Sequence, residues 1–112
     1  MTKQKRKRIA IDQPPRTAGK VLFGLGAVYS SPGVLKLLAK HGRMTAELLA
    51  FHQGGMWGEV SEQDAQANDR AVKQGDLIRS VIVVAGVKIY VITEREGADG
   101  VRPATTLLLG SE

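Results

Sequence analysis

Between residues 32 and 74 apolar side chains recur at helical intervals, and from Leu77 onward they alternate or run continuously, as strands require. Ahead of both regions, residues 20–30 (KVLFGLGAVYS) are apolar and glycine-spaced, which predicts a strand bent at Gly24 to Gly26. Ser31-Pro32 reads as an N-cap followed by proline at the first helical position. Val34, Leu35, Leu37 and Leu38 then form an apolar stripe over a helix of residues 32–41. Thr45 is placed to cap a second helix with Glu47 in its first turn; Leu48, Leu49 and Phe51 give it a buried face, and Gly54-Gly55 stop it. Ser61, with Glu62 and Asp64 behind it, starts a third helix that reaches Gln74 and closes on Gly75. The small interior of that helix, including Ala65, Ala67, Asn68 and Ala71, predicts shallow packing at the surface.

Past Leu77 the segments LIRSVIVV and VKIYVITE flank Ala85-Gly86, a two-residue hairpin turn between β-branched runs. That turn fixes which side chains share a face. Ile78, Ser80, Ile82 and Val84 fall with Val87, Ile89, Val91 and Thr93 on the core side. Leu77, Arg79, Val81 and Val83 fall with Lys88, Tyr90, Ile92 and Glu94 on the other. Thr105 to Leu109 supplies a third strand after a charged loop. The expected fold is α+β: an N-terminal strand, three short helices, then a three-stranded antiparallel meander with the helices on one face. Residues 20–112 form a single domain on this reading, a size that buries one core without staples.

Charge divides the chain more sharply than hydropathy does. The net charge is +5, but residues 1–20 hold Lys3, Lys5, Arg6, Lys7, Arg8, Arg16 and Lys20 against Asp12 alone, and the remainder sums to −1. Residues 1–19 therefore read as a basic arm, expected to be disordered because so polar a stretch buries too little to offset its ordering entropy, and Pro14-Pro15 bar a helix from continuing into the body. Such an arm attracts nucleic-acid phosphates without reading sequence. With no cysteine in the chain there is no disulfide or thiolate metal site, and a cytoplasmic location is the expectation. No apolar run reaches the ~20 residues of a membrane span.

Chemistry-bearing residues are few. His52 ends the second helix, where it either caps the last carbonyls or serves as an acid or phosphate contact. Trp57 is either a core plug or a platform for a base. Asn68 is expected to point inward and hold the Gly54 to Gly58 loop, and Asp69 to pair with Lys73. The Gly-x-Gly of GLGAVYSSPG lacks the rest of a dinucleotide or P-loop fingerprint, and His41 and His52 lack carboxylates at ligand spacing, so no cofactor or metal is implied.

His52-Gln53-Gly54-Gly55-Met56-Trp57-Gly58, Asn68-Asp69, Lys88-Ile89-Tyr90-Val91-Ile92-Thr93-Glu94 and Thr105-Thr106-Leu107-Leu108-Leu109 resemble a family of small proteins carried on bacterial plasmids and other mobile elements. The resemblance spans about residues 22–110, leaves the arm outside, and departs from the family pattern at Met56, usually Asp, and at Gly110, often Pro. It implies a mobile-element setting and no particular reaction.

Three functions fit these residues. The leading one is an accessory protein that binds nucleic acid non-specifically through its arm. The second is a metal-independent ribonuclease in which His52 and Glu94 exchange protons, Arg79 and Lys88 stabilise phosphate and Tyr90 orients; it requires His52 on the face of Arg79 and Tyr90. The third is a protein-binding inhibitor module that uses Tyr90, Ile92 and Arg79 as its contact.

Overall fold

A computed structural model of the chain describes residues 20–112; the arm of residues 1–19, with Lys3, Lys5, Arg6, Lys7, Arg8 and Arg16, lies outside the described residues. The element order is β1 (Ala27–Ser30), α1 (Pro32–Lys40), α2 (Thr45–Gln53), α3 (Glu62–Gln74), β2 (Ile78–Val84), β3 (Val87–Thr93) and β4 (Ala104–Leu109). The fold is α+β, but the sheet differs from the expected three-stranded meander. It has four strands in the order β1-β4-β3-β2, and it is mixed, because β1 joins β4 in parallel while β2, β3 and β4 meander antiparallel.

The N-terminal strand is also shorter than the glycine-spaced run suggested, and the hydrogen bonds show why. Leu22 N–H donates to the Gln53 carbonyl at the end of α2, and the Leu25 carbonyl accepts from the Thr105 hydroxyl. Residues 20–25 are thus held by the end of α2 and by the Thr105 side chain, with Phe23 buried, and the main-chain pairing with β4 begins only at Ala27.

The helix ends follow their capping residues. Ser31 Oγ accepts from Val34 N–H at 3.2 Å, and Ser61 Oγ from Asp64 N–H at 3.0 Å. Gly75 closes α3 in the left-handed conformation. At α2 the cap is Met44 rather than Thr45: Glu47 reaches back to Met44 N–H at 2.9 Å, so the carboxylate does the capping and Thr45 becomes the first helical residue.

The β2–β3 register is the one the turn dictates, with Ile78 opposite Thr93, Ser80 opposite Val91 and Ile82 opposite Ile89. Ala85 and Gly86 both adopt positive φ, +50° and +78°, the twist that matches a two-residue hairpin to its strands. Under the helices, Val34 and Leu38 of α1 and Leu48 and Phe51 of α2 close on Ile82, Val84, Ile89, Val91 and Leu107. A second cluster joins Phe23, Trp57 and the small α3 residues Ala65 and Ala71 to Ile78. Both clusters lie on one side of the sheet. Each large side chain so buried contributes roughly 1.5–3 kcal/mol, before entropy is charged against it.

Candidate functional site

His52 lies at the centre of a buried polar row in this core. It is fully buried, with Nδ1 2.6 Å from Ser80 Oγ on β2 and Nε2 2.8 Å from Thr93 Oγ1 on β3. Thr93 Oγ1 lies 2.7 Å from Thr105 Oγ1 on β4, and Thr105 donates onward to the Leu25 carbonyl at 2.8 Å. That terminal carbonyl only accepts, which fixes every proton in the row. Thr105 spends its hydroxyl proton on Leu25, so Thr93 donates to Thr105 and Nε2–H donates to Thr93; in the neutral ring Nδ1 is bare and accepts from Ser80. Burial first, and the Arg102 charge second, lower its pKa to about 3, which keeps the imidazole neutral near pH 7. A neutral ring does not cap the α2 carbonyls as a cation, and with both nitrogens engaged inside the core it offers no proton-transfer atom at the surface.

Arg102 was unmarked in the sequence, read there only as part of a charged loop. It is buried, and its guanidinium donates to main-chain carbonyls: Ala71 at 2.9 Å, Asp76 at 2.7 Å and Glu94 at 3.0 Å. The carbon of the guanidinium also lies 5.5 Å from the Phe23 ring centroid. One side chain thereby ties the end of α3, the entry to β2 and the exit of β3. Carbonyl partners leave no side-chain pattern, so no sequence signal announced this role.

The Gly-Gly-Met-Trp-Gly loop serves the edge of β2. Val81 N–H donates to the Trp57 carbonyl at 2.9 Å, and Glu59 N–H donates to the Val81 carbonyl at 2.8 Å, a short parallel bridge centred on Gly58. Gly58 has φ +79°, and a Cβ there would overlap the Val81 carbonyl oxygen, so glycine is required on two counts. Trp57 is buried as a plug, edge-on to His52, with its indole N–H donating to Asp69 at 3.0 Å. Asn68 does not hold the Gly54 to Gly58 loop as expected. Its amide instead grips both main-chain groups of Arg79, donating to the carbonyl at 2.8 Å and accepting from N–H at 3.2 Å. A side-chain amide offers the same donor and acceptor pair as a neighbouring strand, and Asn68 uses it to finish the edge.

The opposite face of the sheet carries a different population. The registers place Tyr29, Thr106, Ile92 and Arg79 in one row across the strands, Leu108, Tyr90 and Val81 in the next, and Val83 beside Lys88 beyond them. Arg79 and Lys88 are exposed, Tyr90, Ile92 and Leu108 are half-buried, and Tyr29 at the border is 60% exposed. The Arg79 guanidinium carbon lies 5.7 Å from the Tyr90 ring centroid. Glu94 sits at the far end of the same face, exposed.

Of the residues singled out in the sequence, Arg79, Lys88, Tyr90 and Glu94 thus share the open face, with Lys88 and Glu94 at its opposite ends, while His52 and Trp57 pack together on the other side and Asn68 holds the β2 edge. The sheet separates the two groups. The proton exchange between His52 and Glu94 on which a ribonuclease would depend has no geometry here, because hydrogen-bond reach is the first requirement. Lys20 is exposed where the described residues begin. Among the described residues no three His, Asp or Glu side chains gather as metal ligands, and no helix is long and apolar enough to cross a membrane. The chain matches no protein-family model, and no curated protein or solved structure shows significant similarity to it.

Proposed function

We propose that this chain is a small cytoplasmic accessory factor of a bacterial mobile element that binds nucleic acid through the phosphate backbone, using its cationic N-terminal stretch. The observation that carries the reading is the charge partition, +6 over residues 1–20 against −1 over the rest. So lopsided a distribution supplies the counterion release that drives phosphate binding. The mobile-element setting rests on the motif resemblance alone.

The test is salt-dependent binding of labelled DNA and RNA to the full chain and to a variant with Lys3, Lys5, Arg6, Lys7 and Arg8 changed to Gln. Log affinity should fall with log salt with a slope of about −0.9 per phosphate neutralised on duplex DNA, and the five substitutions should flatten that slope. Equal affinities and slopes for the two proteins would remove the proposal. A protein partner that co-purifies after nuclease treatment would favour the inhibitor-module reading instead.

A further inference from the structure

We infer that the helix-free face of the sheet is a binding platform for unpaired nucleobases, with Tyr29 and Tyr90 as stacking surfaces and Arg79 and Lys88 as the phosphate or base-edge contacts. The inference rests on the nucleic-acid reading above and names the form of nucleic acid and the surface that takes it. Helices cover one side of the sheet, yet the other displays both tyrosines of the chain beside two exposed cations. Aromatic and guanidinium planes accept any base by stacking, whereas a duplex keeps its bases inside and shows such a face only phosphate. Arg79 already lies over the Tyr90 ring, the arrangement in which a guanidinium and an aromatic plane present a joint surface.

Strand spacing and rise put the Tyr29 and Tyr90 backbones about 12 Å apart, far enough for two separate bases. Ile92 and Leu108 fill the ground between them with apolar area suited to base faces. Glu94 repels phosphate at one end, which leaves the Lys88 end as the side along which the backbone runs. The charge of the platform matches that of the N-terminal stretch, so both engage one polyanion. A protein surface would have to bury Arg79 and Lys88 against carboxylates to gain as much.

The experiment compares the full chain with Tyr29→Ala, Tyr90→Ala and Arg79→Ala, measuring affinity for a fluorescent single-stranded homopolymer and for a duplex of equal length. Tyr29 is exposed on an edge strand and Arg79 is exposed, so these two variants keep the test valid if loss of Tyr90 disturbs folding. Single strands should bind the parent more tightly than duplex, and each tyrosine substitution should weaken single-strand binding about 10-fold while duplex binding and the salt slope stay unchanged. Unaltered single-strand affinity in Tyr29→Ala and Arg79→Ala would overturn the platform. If the arm substitutions alone abolish binding in that case, phosphate attraction survives without it, and if the parent binds neither polymer at low salt, both readings fail together.

Discussion

On the helix-covered face, His52, Ser80, Thr93 and Thr105 pass hydrogen bonds among themselves and on to a single carbonyl, while on the open face Arg79, Lys88 and Glu94 end in solvent. Both faces come from the same two β-rich segments, one residue out of phase. Polar groups on the first side are safe only because each proton has one destination; those on the second need none and remain available to a ligand. The contrast teaches that the histidine, the residue most suggestive of chemistry, is the one the fold has taken out of chemistry.

The strongest way to break this contrast is to remove the imidazole. His52→Ala should cost about 3–5 kcal/mol in denaturant unfolding, since it leaves a cavity and strands the Ser80 and Thr93 hydroxyls. Acid probes the same group without mutation. His52 titrates near 6.5 when unfolded and about 3 when folded, so the unfolded chain holds the extra proton between these values. Stability is then complete above pH 6.5 and declines by about 1.4 kcal/mol per unit as pH falls toward 3. A flat unfolding midpoint from pH 7 to 4.5 would contradict the buried neutral imidazole.

Smaller effects sharpen the picture at the margins. Asn68→Ala should lose about 2 kcal/mol and speed amide exchange at Arg79, whose main-chain groups it leaves without their partner. Ala85→Gly should gain up to about 1 kcal/mol, because Ala85 holds a left-handed conformation that glycine adopts freely. Lys88→Ala on the open face should move stability by less than about 0.5 kcal/mol.

The alternation in residues 78 to 93 was enough to assign both faces and the register, because a two-residue turn leaves no freedom once the period is 2. Caps at Ser31 and Ser61 were equally plain, being local. What escaped was every role set by distant backbone. The pairing of β1 with β4 depends on residues some 77 positions apart, from Ala27 to Ala104, and no pattern in KVLFGLGAVYS announces it. Asn68 and Arg102 bond to carbonyls and amides that every residue type carries, so their partners had no signature. For His52, position at a helix end suggested a cap; its true partners, Ser80 and Thr93, were already assigned to the core face and could have been read as its hydrogen-bond donor and acceptor respectively.

The two borders of the sheet are unequal: Asn68 and the Trp57–Glu59 stretch finish β2, while β1 ends the sheet on its other side with nothing beyond it among the described residues. Among the described residues the open strand edge therefore lies on the β1 side. A strand added at that edge would lie directly beside Tyr29.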